Sequence, residues 1–310
     1  MDSSDDKTST NSDESSEEDD SKKNGLSKRD LFLSTYRRDQ NWSLPLSIIY
    51  YMAMNPKNVE VYEKLIHSCK YFFVKNPILI GDRFDYDLYA RDKWSHFVYK
   101  DNYCTEFSSV TSKFWITDEF FNYPFESSPN MVSSFLPKCY RVDVKRLKLF
   151  HQNISFNDFL FLASNCGDIV FFHTVVKNED GTIVPLEKLI KLLPRVKNVD
   201  ICNTSEFSNI TSNTVKELLE IPHFSKIVKF NLFNICELFD INTFFPYMKK
   251  NQNTQFCIHF FPPLSEAFKN RLEEMVDEII ESKTCGINLI FEGLDRQKRL
   301  NIRELYYHSR

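Results

Sequence analysis

"RLKLFHQNISFNDFLFLASNCGDIVFFHTVV", residues 146–176, changes hydrophobic rhythm twice. Its ends, "RLKLF" and "DIVFFHTVV", are short runs rich in aromatic and β-branched residues, which suit half-buried strands. Its middle, "FNDFLFLAS", reads as a helical run. The same alternation continues downstream. "PLEKLIKLL" leads to "VKNVDICN", "TSNTVKELLE" to "IVKFNLF", and "INTFFPYMKK" to "TQFCIHFF". "LSEAFKNRLEEMVDEIIES" then leads to "GINLIFEGL". Leu149, Phe171, Ile201, Leu232, Ile258 and Leu289 mark the strand centres, 22, 30, 31, 26 and 31 residues apart. A near-constant period of one strand plus one helix signals stacked units, each covering the apolar face its neighbour leaves open. A helix in every crossover makes the strands parallel. The expectation is a curved parallel sheet with helices on its convex side, spanning residues 141–294. A doubly wound α/β domain also alternates strand and helix. It lacks support from a phosphate loop, because no G-x-G-x-x-G or G-K-[ST] occurs.

Composition narrows the function. The chain has 310 residues, 42% of them hydrophobic, with 29 Phe and 6 Gly. Its 8 cysteines are scattered, without C-x-x-C pairs, and several lie in apolar runs. They read as free thiols packed as small hydrophobes in a reducing compartment. The acidic start is no secretory leader, and no apolar run reaches the ~20 residues of a membrane span. A cytoplasmic or nuclear protein is expected. Residues 1–20 carry nine Asp or Glu against one Lys, so 1–30 are expected to be a disordered acidic tail. The net charge of −4 leaves the rest near +4, too weak for strong phosphate-driven affinity, which argues against nucleic acid.

Residues 43–77 read as two helices. Leu44, Ile48, Ile49 and Met52 share one face, with Ser43 as cap and Pro45 in the first turn. Asn55-Pro56 ends that pattern. Val61, Leu65, Ile66, Cys69, Phe72 and Phe73 form the stripe of the second helix, closed by Asn76-Pro77. A pair this small is marginal unless it packs on something else. Residues 78–140, rich in Tyr, Phe and Trp, read as a connector and an irregular first unit or cap. Residues 295–310 read as a capping helix or tail.

These segments resemble known modules. "RLKLFHQN" (146–153) and "KFNLFN" (229–234) are similar to the core of leucine-rich repeats, L-x-x-L-x-L-x-x-N, with Phe and Ile replacing Leu. "SLPLSIIYYM" (43–52) resembles the opening of an F-box, with Ser47 where an acid is usual. "LIHSCKYF" (65–72) resembles its later element at Ser68, Cys69, Lys70 and Phe72. "NPKNVEVYEKLIHSCKYFFVKNP" (55–77) is similar to the divergent F-box-like proteins of nematodes. The resemblance implies an F-box-like helical module at 43–77 ahead of an irregular leucine-rich-repeat-like β-α solenoid. It implies a substrate-recruiting adaptor of a cullin–RING, SCF-type ubiquitin ligase. Leu44, Pro45, Ile48, Ile49, Met52, Leu65, Cys69 and Phe72 would then bind a Skp-type adaptor, while the repeats bind a target protein. Two alternatives stay open: an interaction scaffold whose helices only cap the repeats, and an α/β enzyme without recognisable motifs.

Chemistry is sparse. No H-E-x-x-H, G-x-S-x-G or H-x-E…C-x-x-C occurs, and the seven histidines are dispersed. His67 and Cys69, two apart on a helix, point away from each other. No catalytic residue, metal ligand or cofactor site is expected. Target specificity is expected from outward-facing strand residues: Lys148, His173, Asp200, Asn231, His259 and Asn288.

Overall fold

The computed structural model describes residues 31, 34, 41–87, 95–98, 104–106, 110–123, 128–204 and 208–308. The acidic segment expected at 1–30 lies outside them. The chain divides into two compact units, 1–76 and 77–310.

The front unit is helical. Helix α1 spans Leu46–Met54, α2 Val59–Ser68 and α3 Lys70–Lys75. Ser43 does not cap α1. Pro45 is its cap residue, and the Pro45 carbonyl accepts from the amides of Ile48 and Ile49. Asn58 caps α2 by accepting from the Val61 amide at 2.9 Å, satisfying a donor the helix start leaves free. The second expected helix is two helices. Cys69 is extended, closing α2 and starting α3, where its sulfur accepts from the Tyr71 amide at 3.5 Å. The inner cluster is Ile49, Ala53 and Phe72, flanked by Trp42, Met52, Leu65, Ile66, Cys69 and Tyr71. Asn76 ties the ends together. Its side chain donates to the Ala53 and Met54 carbonyls at 3.0 and 3.4 Å. Its own carbonyl accepts from the hydroxyl of buried Tyr62 at 2.7 Å.

The second unit is mixed α/β around a mostly parallel sheet. Its strands are β1 (Ile78–Asp87), β2 (Ser95–Val98), β3 (Cys104–Glu106), β4 (Lys113–Tyr123), β5 (Cys139–Val142) and β6 (Arg146–Phe150). They continue as β7 (Asn153–Ser155), β8 (Asp168–Phe172), β9 (Val175–Lys177), β10 (Asn198–Cys202), β11 (Lys229–Ile235), β12 (Gln255–Phe260) and β13 (Ile287–Ile290). Across the sheet the order is β13-β12-β11-β10-β8-β6-β4-β1-β2-β3, with β5 also paired to β4. From β1 to β13 the described strands join in chain order and in parallel, and the β1-β2-β3 edge is antiparallel. The order does not reverse between β4 and β13, so this part has no switch-point crevice of the doubly wound kind. The stretch expected as a connector and irregular first unit or cap, 78–140, carries β1 and β4, the two longest described strands.

Period-two alternation decides which face is covered. Leu147 and Leu149, Ile169 and Phe171, Val199 and Ile201, Phe230 and Leu232, Phe256 and Ile258, and Ile287 and Leu289 are all buried. They join one core with the apolar stripes of α5 (Phe156–Ala163), α6 (Leu186–Lys191), α7 (Thr214–Glu220), α8 (Ile241–Lys250) and α9 (Glu266–Glu281). A short helix, α4 (Met131–Phe135), packs Val132 and Phe135 into the same core. Helix α10 (Arg296–Tyr307) lies against β13 and α9, with Ile302 buried. Among the described residues no helix is long and apolar enough to cross a membrane.

Several strands stop in the same way. His151 follows β6 at φ 52°, His173 follows β8 at φ 50°, and Asn234 near the end of β11 has φ 57°. The left-handed region is costly for most side chains but tolerated best by Asn, Asp and His. The chain then departs, and β7 and β9 form a separate parallel pair. Buried Gln152 satisfies this corner. Its amide donates to the Ser128 and His151 carbonyls at 3.0 and 2.9 Å, and its oxygen accepts from the Val132 amide at 3.0 Å.

Candidate functional site

Among the described residues no helix row covers the sheet's other face over its middle strands, and register fixes what stands there. Phe121, Lys148, Val170, Asp200, Asn231, Cys257 and Asn288 form one continuous row across seven strands. Four of the six expected target-face residues, Lys148, Asp200, Asn231 and Asn288, are in this row. His259 stands one step further along β12. His173 does not lie on a strand. It follows β8 in the left-handed turn, where its ring stacks on Phe172 at 4.3 Å.

At the β1–β4–β6 end the face is ionic. Glu119 is buried, and Lys148 Nζ, Arg83 Nε and Arg146 reach its carboxylate at 2.8, 3.3 and 3.9 Å. Asp85 adds a second partner for Arg83, at 2.8 Å. Burial works to raise the Asp118 carboxyl, but hydrogen bonds and charge from Arg146 and Lys145 outweigh it and hold it below the ordinary carboxylate range. The Arg83 guanidinium and the Lys148 ammonium also sit 5.7 and 6.0 Å from the Phe121 ring centre. Lys148 is therefore held by this cluster.

At the far end α10 closes the face. The Tyr306 hydroxyl reaches Asn231 Oδ1 at 3.4 Å, and Asn288 is buried, its amide donating to Cys257 Sγ at 3.6 Å. Asn288 is thus not an accessible contact, contrary to expectation.

Between the two ends runs a band of rings at the strands' C-terminal limits. Tyr123 and Phe150 are 4.8 Å apart, Phe150 and Phe172 5.8 Å, and His151 and His173 5.1 Å. The band is interrupted at Cys202, which pairs with Phe172 on one side and Phe233 on the other. It resumes with Phe233 and His259, 6.5 Å apart. The gap is a hollow of about 470 Å³ lined by Val170, Phe171, Phe172, Asp200, Cys202, Phe233, Asn234 and His259. Asp200 and His259 are the expected residues that the structure brings together there. Phe172, Cys202 and Phe233 were not anticipated, because only pairing sets them side by side. Burial pushes the Cys202 thiol up to about 11, so it stands protonated at neutral pH, a poor nucleophile. Burial, then the charge of Arg299, lowers the His259 imidazole below its ordinary value.

A larger hollow, about 1150 Å³, lies on the helix side between α6 and α7. Lys188, Lys191 and Lys216 alternate there with Glu187, Glu217 and Glu220, so it presents no net sign. Among the described residues no group of three or more His, Cys, Asp or Glu is placed to hold a metal.

The expected adaptor-binding residues divide in two. Leu44, Pro45 and Ile48 are exposed; Met52, Leu65 and Cys69 are half-buried. Ile49 and Phe72 are 4% and 3% exposed and form the unit's own core, so they support a binding face without touching a partner. Leu46, Tyr50 and Tyr51, not anticipated, also stand exposed, with Leu46 at 67% and Tyr51 at 64%, as does Val61 of the second expected stripe. Comparison with protein-family models and with curated proteins finds no match to this chain.

Proposed function

We propose that the chain is a substrate-recruiting adaptor of a cullin–RING ubiquitin ligase, in which the front helices dock on a Skp-type adaptor and the open sheet face holds a target protein. One observation carries the reading. In a unit whose inner cluster is three side chains, six large apolar residues, Leu44, Leu46, Ile48, Tyr50, Tyr51 and Val61, face solvent. Apolar surface concentrated this way marks an interaction site. The F-box-like motif at 43–72 names the partner class, and chain-order parallel strands with one helix-covered face favour the irregular leucine-rich-repeat-like solenoid behind it. Polar Gln152 and Thr174, bonding backbone at successive strand ends, resemble the polar ladder of such repeats.

A second reading, an interaction scaffold with no ligase link, is favoured by the self-burial of Ile49 and Phe72 and by Ser47 at the motif's acidic position.

Co-purification of the full chain with a Skp-type adaptor separates the two. Ile48→Asp and Tyr51→Asp should each abolish association while the sheet unit keeps its cooperative unfolding. Adaptor retained by both variants, or never bound by the wild type, would leave the scaffold reading standing alone.

A further inference from the structure

The hollow at Cys202 is shaped and charged for one kind of group. Phe172 and Phe233 lie on strands either side of β10, two strand spacings apart, roughly 9.6 Å between backbones. Two stacking contacts of about 3.5–4.0 Å fill most of that width with a single flat group between the rings. Small Cys202 stands between them, and the Asn234 amide reaches its sulfur at 3.4 Å. Asp200 stands two residues earlier on the same strand, on the same face, at the floor. Its carboxylate accepts one hydrogen bond, from Asn231 Nδ2, and among the described residues it has no ion-pair partner. At the β4 edge Glu119 is answered by Lys148 and Asp85 by Arg83, while Asp168 on β8, like Asp200, accepts from a neighbouring asparagine, Asn198.

We infer that this hollow receives an arginine side chain from the target protein. The inference rests on reading the open face as the target surface, and it names the group that face takes. A guanidinium is planar, stacks on aromatic faces and presents a fork of donors that matches a carboxylate. It satisfies the ring walls and Asp200 together. An apolar side chain would bury Asp200 uncompensated, and a phosphate would meet a like charge.

The test uses the full chain and fluorescent peptide pools with one fixed central residue between randomised neighbours. The central residue is arginine, citrulline, lysine, leucine or phosphoserine. The arginine pool should be retained roughly tenfold better than its neutral isostere citrulline, the loss expected for one charge-assisted pair. Asp200→Asn should erase that difference. Phe172→Ala should weaken retention of arginine, and Asp180→Asn, in an exposed loop, should change nothing. Equal retention of arginine and citrulline, retention of lysine or leucine as good as arginine, or an unaltered preference in Asp200→Asn would overturn the assignment. Adaptor association is read on the same samples. An arginine preference without adaptor binding removes the ligase reading alone, and adaptor binding without the preference removes the arginine slot alone.

Discussion

The two units hide their apolar surface in different ways. In the sheet unit each strand's inward pair, such as Phe230 and Leu232, is covered by a helix from the same chain, and one core runs from Phe84 to Ile302. In the front unit the inner cluster is Ile49, Ala53 and Phe72, and more large apolar side chains lie exposed on α1 than beneath it. Burial of apolar area is the main favourable term in folding. The sheet unit therefore carries its own stability, whereas the front unit gains most when something covers it. The contrast fits a division of labour between a rigid frame and a docking element.

The sharpest way to break this contrast is to damage each unit at its most characteristic residue. Phe230→Ala empties a fully buried site among Phe224, Phe244 and Phe256. It should cost about 3–5 kcal/mol in chemical denaturation followed by fluorescence. Ile48→Asp alters an exposed position and should stay within about 0.5 kcal/mol. Equal losses in the two variants would mean that Ile48 supports the fold, and the docking reading would go with it.

Asn76 tests how the front unit holds together at all. Its amide closes the two carbonyls at the end of α1, which otherwise have no helical partner. Asn76→Ala should cost about 1–3 kcal/mol, the penalty for leaving buried carbonyls unmet. Amide hydrogen exchange should show faster opening of α1 and α2 with protection in β6, β8 and β10 unchanged. Equal loosening of the sheet would mean that the two units open as one.

How far these features could be read in the sequence depends on what each strand buries. From residue 146 on, most strands alternate apolar with polar residues, as in Arg146–Phe150 and Lys229–Ile235, and so announce their covered face, although β8 (DIVFF) is apolar on both; the parallel order follows from the helices between. Strands β1 and β4 hide. β4 buries Phe114, Trp115 and Ile116 in succession, and then buries the carboxylate of Glu119, so no period-two pattern survives. β1 spreads Asp82, Arg83, Asp85 and Asp87 along what reads as a charged loop. The front helices were legible as an apolar stripe. The break at Cys69 was not, because the stripe runs through it without a Gly or Pro to mark the extended residue. On the open face, alternation alone picked out Lys148, Asp200, Asn231 and His259. The slot needed more. Phe172, Cys202 and Phe233 lie 30 or more residues apart in sequence and become neighbours only through register.

The smallest expected effect lies at the α10 end of the sheet, and it is a matter of pH. Burial, then Arg299, holds the His259 imidazole below its ordinary value of about 6.5, so the folded chain binds this proton less readily than the unfolded one. The sign follows from linkage. Above about pH 6.5 the site is neutral in both states and its contribution is intact. As the pH falls from there through the lower folded value, the unfolded chain takes up the proton first and stability declines. His259→Gln keeps a polar group of similar reach and removes the titration, so its stability should fall less than that of the wild type between about pH 7 and pH 5. The decline belongs to the sheet unit, and hydrogen exchange in β12 and β13 should report it while α1 stays level. Parallel decline in wild type and variant would mean that His259 is as open to solvent as the apolar residues of α1, and the closure of this end by α10 would have to be abandoned.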